Sequence, residues 1–501
     1  MVAAFLALRT LAAWICPATI DEAYAIAASR GWSLSYFDHP PACFTLAGLM
    51  AWLTGREDVF VARIPFLLMG AATAWLVYDV ARLAYGSAAG LWALAWHSVA
   101  PFFLVSGGHF VVPDGPLDLA LVLTLRLVLP DLLAPERPPR LGAWCAAGAA
   151  FALAFASKYQ AVLFGASALM LVLTSPAHRR LLAAPATWAA LAISLVGLVP
   201  TVVWNATHGW VSLGFQAGRA GGGSRGLEPV NFLITLGGQM LYVLPGTWAL
   251  ALVLAARGIV RPRAVADRVF GWFTIVPPVV FLAIALVSRG SLPHWAMSGF
   301  LFGFPLVGEW TAHAATSHGP FWRRLWAGTA LLLGGALLGY ALEARHALLT
   351  RPCAAAAPAW GVDWQFQDWT ALAEAWPNLG AAWPELAGAR PELHDPRAVV
   401  VRNWTTGAKA GHALGPGVTV VPLADPRHFQ FLPAPAGAAV GDAAIAVEAA
   451  DPGQADVVRE SLAEALAEHG WRVVGEPRVI DQAAGGQLRF HVVALPVVRD
   501  D

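Results

Sequence analysis

At 501 residues, with 57% hydrophobic and only 13% charged side chains and a mean hydropathy of +0.58, the chain is too apolar for a soluble fold, in which roughly 25% of residues are charged. Its net charge of +0 supplies no basic stripe for nucleic-acid phosphates. Cys16, Cys43, Cys145 and Cys353 lie far apart with no CxxC spacing, which argues against a zinc site or a disulfide framework.

Apolar runs suited to a bilayer crossing of about 20 residues fall near 2–17, 60–84, 88–106, 115–131, 141–157, 160–174, 184–204, 231–256, 270–287, 295–311 and 325–342, about eleven spans in all. Many of the 23 tryptophans sit at the ends of these runs, where amphipathic rings favour the membrane interface. The first run reads as an anchor, because Asp21 and Glu22 directly after it do not resemble the small-residue site of a cleaved signal peptide. With a cytoplasmic N-terminus the inner loops collect Arg82, Arg126, Arg137, Arg140, Arg179, Arg180, Arg257, Arg261, Arg263, Arg268, Arg323 and Arg324, and the outer loops fewer cations. By the positive-inside rule, segments 18–59, 107–114, 205–230 and 288–294 and the surroundings of Lys158 then share the outer face, with residues 343–501.

The tail changes character. Residues 343–396 read as a linker, rich in Ala, Pro and Trp over 351–396; residues 397–501 alternate strand-like runs (398–402, 417–423, 443–447, 471–474, 488–494) with helical ones (405–414, 455–469). That alternation predicts a small C-terminal α/β domain, and Gly470 stands where a helix stops. The fold class expected is therefore mainly α and polytopic, with this domain appended to a membrane domain over 1–342.

The chemistry-bearing residues gather in the outer segments. Asp21-Glu22-Ala-Tyr24 opens the first loop, and Tyr36-Phe37-Asp38-His39-Pro40-Pro41 follows. A carboxylate at the mouth of a membrane helix is costly unless it faces water or a protein cavity; the competing reading is an acidic pair in the first turn of a surface helix. Asp114, in Val112-Pro113-Asp114-Gly115-Pro116, reads either as a helix cap or as a site residue, and Asp118 one turn deeper calls for a pairing partner. Lys158, one of two lysines beside Lys409, could snorkel to headgroups; where arginine carries nearly every other positive charge, a compact ammonium points toward a lipid phosphate. Loop 204–229 mixes aromatics, amides, His208, Gln216 and Arg219 with glycines 220–223; without a following Lys-Ser or Lys-Thr this is no P-loop. His294-Trp295 reads first as an interface anchor, with a place in the lining of the same cavity as the alternative. GxSxG and HExxH are absent, so triad hydrolases and zinc proteases have no support.

In order, DEAY, YFDHPP, Arg63-Ile-Pro65, VPDGPL, SKYQAVL, WNATHGWVSLGFQ and HW resemble the bacterial family 39 glycosyltransferases, GT-C fold enzymes similar to protein O-mannosyltransferases and lipid A aminoarabinose transferases. The tail motifs RNWTTGAKAGHALG and DPRHFQF are similar to the C-terminal region of many members. The resemblance implies transfer, with inversion, of a sugar from a polyprenyl-phosphate donor to a lipid, glycan or protein hydroxyl on the outer face of a bacterial inner membrane. It implies Asp21 as the catalytic base, since a single displacement needs one carboxylate to take the acceptor proton.

Glu22, Tyr24, Asp38, His39, Asp114, Lys158, Tyr159, Gln216 and Arg219 are the substrate-binding set so implied. His39 replaces a lysine of the aminoarabinose enzymes, which shifts phosphate binding to Lys158 or Arg219. Gln216 stands where those enzymes carry a histidine near a metal, so a divalent metal stays open and no other cofactor is implied. A transporter or flippase is the rival class, although inverted repeats and midplane ionisable groups are not visible; a membrane scaffold with a partner-binding tail is another.

Overall fold

The computed structural model describes residues 1–221, 226–346, 348, 377–388, 397–432, 443–450, 454–484 and 488–499. Its helices are α1 (Val2–Ile15), α2 (Ile20–Ala28), α3 (Ala42–Thr54), α4 (Val59–Tyr85), α5 (Ser87–Val99), α6 (Pro101–Leu104), α7 (Ser106–His109), α8 (Asp114–Leu133), α9 (Leu141–Ser157), α10 (Val162–Thr174), α11 (Pro185–Leu195), α12 (Val199–Thr207), α13 (Val211–Gly221), α14 (Pro229–Val243), α15 (Pro245–Val260), α16 (Val265–Val287) and α17 (Met297–His346). Beyond these lie α18 (Pro377–Gly388), β1 (Ala398–Val401), α19 (Trp404–Leu414), β2 (Thr419–Pro422), α20 (Arg427–Gln430), β3 (Ala443–Ala450), α21 (Ala455–Glu468), β4 (Trp471–Val473), β5 (Arg478–Ala484) and β6 (Leu488–Arg499). The chain is a mainly helical, polytopic membrane protein with a small C-terminal α/β region.

Two compact units divide it: 1–10, 34–43 and 64–336 form the first, and 11–33, 44–63 and 337–501 the second. In the first, α8 and α11 pack against α9, and α15 against α16. Close approach there depends on glycine: a Cβ on Gly197 would meet the Ala152 carbonyl oxygen at 2.0 Å.

Among the described residues four helices are long and apolar enough to cross a membrane, or up to seven if each bent pair counts as one span. The expectation of about eleven is not reached because several apolar runs end as helices of fewer than 18 residues, Leu141–Ser157 among them. The last two runs also form one helix. At about 1.5 Å per residue the 50 residues of α17 far exceed a ~30 Å hydrocarbon core; the non-helical His318 (φ −131°, ψ 38°), just before Gly319-Pro320, splits α17 into two span-length halves.

In the second unit a six-stranded sheet runs β2-β1-β3-β6-β4, with β5 also paired to β6. The β1–β2 and β1–β3 pairs are parallel, and β6 pairs antiparallel with β3, β4 and β5. β1 is buried at all four residues, as a central strand covered on both faces must be. Alternation sends Val399, Val401, Ile445 and Val447 to the face that also buries Leu379 and Leu386 of α18, and Val400, Ala444 and Ala446 to the face covered by Leu462 and Leu466 of α21. Residues 377–388, expected within an irregular linker, are thus a helix that closes one side of the sheet. Gly407 and Gly411 let α19 lie on β2, since a Cβ at either would come within 2.9 Å of Val420. Strand β5 went unread, as did the one-turn α20.

Candidate functional site

In the first unit α9 stops at Ser157. Lys158 follows in extended backbone (φ −156°, ψ 139°) before a single 3-10 turn, Tyr159–Ala161, leads into α10. The break turns the Lys158 side chain inward, where Nζ donates to both oxygens of Asp114 at 2.9 Å. Asp114 opens α8, and the pair is buried, Lys158 being 3% and Asp114 7% exposed. Asp118, for which a pairing partner was expected, has neither oxygen in a hydrogen bond among the described residues; Lys158 goes to Asp114. Gly107 packs against Asp118, where a Cβ would lie 3.1 Å from Oδ2.

Around the pair stand residues from three other segments. The loop carrying Asp38 and His39 is clamped to α13 by the Phe37–Phe215 ring contact at 4.6 Å and by Gln216 Nε2, which donates to the Asp38 carbonyl at 2.6 Å. Tyr159 and Ser212 share a hydroxyl hydrogen bond of 2.7 Å. The Arg219 guanidinium lies 4.6 Å from the Trp295 ring and 5.4 Å from that of Phe215, within cation–π range.

The His39 imidazole is pushed down to about 3, first by burial, then by the Lys158 charge, with Asp114 opposing and Arg219 and His294 adding to it. It is therefore neutral at physiological pH, and its Nδ1 is buried without a hydrogen bond among the described residues. His294 shares these charged neighbours, since Lys158, Asp114 and Arg219 all act on it.

His294 and Trp295 correct the sequence reading. Trp295 is 8% exposed and seats an arginine, which is not how a headgroup anchor behaves. The available signal was the HW step at the mouth of an apolar run, which composition does not separate from an ordinary anchor.

The second unit holds the DEAY segment. Thr19 caps α2: its hydroxyl accepts from Glu22 N at 3.3 Å, and its own N–H donates to Glu22 Oε2 at 2.9 Å, a capping box. Both Glu22 oxygens also receive Arg63, from Nε at 2.7 Å and Nη2 at 2.6 Å. Arg63 then donates to the carbonyls of Ala13, Cys16 and Pro17 at 2.7, 2.7 and 2.9 Å. All five guanidinium N–H groups are thereby used, with both side chains 0% exposed. This corner fixes the end of α1, the turn and the start of α2, whose first turn carries the exposed Asp21.

Tyr24, 3% exposed, donates its hydroxyl to the His428 carbonyl at 3.2 Å and meets Phe44, Trp404, His428 and Phe429 edge-on. The two tail motifs meet there, with Trp404 stacked on His428 at 4.7 Å. Glu22 and Tyr24, expected to bind substrate, therefore have their polar atoms engaged with the protein itself.

Among the described residues no three His, Cys, Asp or Glu side chains converge as a metal site would require, and Gln216 commits its amide to a backbone carbonyl.

The fold defines a polytopic membrane protein. Residues 38–204 match the family model described as dolichyl-phosphate-mannose-protein mannosyltransferase. A lipid A galacturonosyltransferase of Rhizobium johnstonii is 23% identical over 300 residues, 57% of this chain; the match spans 58% of that relative's length. ArnT from Cupriavidus metallidurans superposes with a TM-score of 0.58 when bound to undecaprenyl phosphate and 0.59 in the apo state, at 17% identity over 98% of this chain and 97% or 96% of the other. The chain shares the fold of ArnT, and its residues 38–204 are similar to the mannosyltransferase family.

Proposed function

We propose that the protein moves a sugar from a polyprenyl-phosphate donor to a hydroxyl of a lipid or glycan acceptor on the outer face of a bacterial inner membrane, with inversion. The observation that carries this reading is the convergence of Lys158, Arg219 and the neutral His39 and His294 around Asp114. Two permanent cations with neutral donors beside them suit a lipid phosphate, which binds as a point charge at lysine and can be forked by arginine. The undecaprenyl phosphate held by ArnT supports the donor class, and the lipid A galacturonosyltransferase supports a lipid A-like acceptor. The outer-face orientation rests on the arginine distribution among the loops.

In this reading an arriving phosphate takes Lys158 from Asp114, and the ammonium then stabilises the charge that grows on the departing lipid phosphate. Positioned cations in a water-poor site supply several kcal/mol to such a step. Asp21 takes the acceptor proton; this role comes from the resemblance, and its exposure in the first turn of α2 is compatible with it. Glu22 acts as a positioning residue through Arg63. The test is transfer from a radiolabelled polyprenyl-phosphate sugar in membranes overexpressing the protein. Label is expected in a lipid or glycan fraction of wild-type membranes and absent with Asp21→Asn; equal transfer by the two would remove Asp21 from the base role.

A further inference from the structure

We infer that the open edge of β2 in the second unit is a second binding site, one that takes the phosphate of a phosphorylated saccharide. A cavity of about 380 Å³ takes in this edge together with Arg499 of β6 and Trp471 of β4, strands beyond β1 and β3 in the sheet; its volume is within the range of small-molecule sites. The hydrogen bonds Thr419 N to Arg397 O (2.7 Å) and Leu423 N to Val401 O (2.8 Å) turn the odd-numbered residues of the segment toward β1. The backbone groups of Val418 and Val420 therefore face outward.

Two of the residues that line the cavity carry a buried side-chain polar atom with no hydrogen bond among the described residues: Arg30 Nη2 and Thr419 Oγ1. A buried donor left unmet is costly, so each calls for an explanation. The rest of the Arg30 guanidinium is held rigid, with Nε on Glu57 at 3.0 Å and Nη1 on the carbonyls of Gly411 and Gly415 at 2.8 and 3.0 Å. Its one spare nitrogen is thus fixed in place.

The charge of the lining is one-sided. Arg499, its guanidinium 5.9 Å from the Trp471 ring, lines the same cavity, and no Asp or Glu does among the described residues. Glu57 already answers part of the Arg30 charge, which leaves the exposed Arg499 as the freer cation. A bare oxyanion would fill a small part of this volume. The remaining wall, with Pro416, Phe429 and Leu432 beside Gln430, offers apolar faces and an amide, which suits a sugar ring with its C–H face and hydroxyls. The inference stands on this unit alone and does not depend on the donor site at Lys158.

The experiment uses the full chain in detergent and reads amide hydrogen exchange with glucose 1-phosphate, its decyl ester, inorganic phosphate or glucose added. Glucose 1-phosphate is expected to slow exchange across 418–422 and 429–432. Arg499→Gln and Arg30→Gln should each weaken its binding by about tenfold, the loss of one charge-assisted hydrogen bond, and Lys158→Met should leave it unchanged. Stronger protection by the decyl ester assigns a lipid-borne ligand, and equal protection a soluble one. Protection by glucose equal to that by its phosphate, full protection by inorganic phosphate alone, or unchanged binding in Arg499→Gln would each overturn the site. Arg30 also caps α19, so a misfolded Arg30→Gln leaves the decision to the exposed Arg499.

Discussion

Two buried ion pairs divide the work of this molecule, and they differ in what surrounds them. At the Glu22–Arg63 corner every guanidinium donor has a partner and both side chains are fully enclosed. At Lys158–Asp114 the pair sits among further polar groups: a neutral His39 whose Nδ1 has no hydrogen bond among the described residues, His294, and an arginine resting on an aromatic ring. A closed network has nothing to offer a ligand and holds the fold. A pair with other polar side chains beside it can exchange its carboxylate for a phosphate.

Substitutions separate these roles. The largest effect is expected for Asp21→Asn, since removal of a general base costs about 10²–10⁴ in rate; the measurement is single-turnover sugar transfer, with the thermal midpoint unchanged. Next, Glu22→Gln leaves the buried Arg63 charge uncompensated, and breaking such a pair costs about 3–5 kcal/mol. That loss should appear as a lowered unfolding midpoint in detergent, and retained stability would sink the closed-network view. Arg219→Lys should weaken donor use by only a few fold, because a cation–π contact at a partly exposed site is worth about 0.5–1 kcal/mol.

The smallest effect concerns pH. His39 binds its proton only near pH 3 in the fold but near 6.5 in the unfolded chain. The folded state therefore holds fewer protons than the unfolded between these values, and this contribution to stability falls as pH drops through that window. His39→Gln should flatten the loss of thermal stability between pH 7 and 5; an identical slope would show that the imidazole is not enclosed by these cations.

Hydropathy made the membrane class legible, and alternating patterns made most of the tail legible too: β1, β2, α19 and α21 fall close to their expected limits. The span count was not legible, because hydropathy does not give the length of the helix that an apolar run forms, as with Leu141–Ser157. Asp38, His39, Asp114, Lys158, Tyr159, Gln216 and Arg219, singled out through the resemblance, all fall in the first unit. That Lys158 would choose Asp114 over Asp118 depends on where α9 breaks, a matter of tertiary geometry. Arg63 gave no local signal beyond the proline after its neighbour, since its five partners come from segments about 40 to 50 residues away in sequence and side-chain networks carry no periodicity. The inward turn of Trp295 was hidden for the same reason.

The central claim is that Lys158 receives the donor phosphate, and donor saturation of Lys158→Met/Asp114→Asn tests it most directly, because the double substitution leaves no unpaired buried charge. With a labelled polyprenyl-phosphate sugar, the apparent KM for donor should rise by about tenfold or more, the loss of one charge-assisted contact, while the acceptor KM holds. An unchanged donor KM in a protein that inserts and folds normally would contradict the claim.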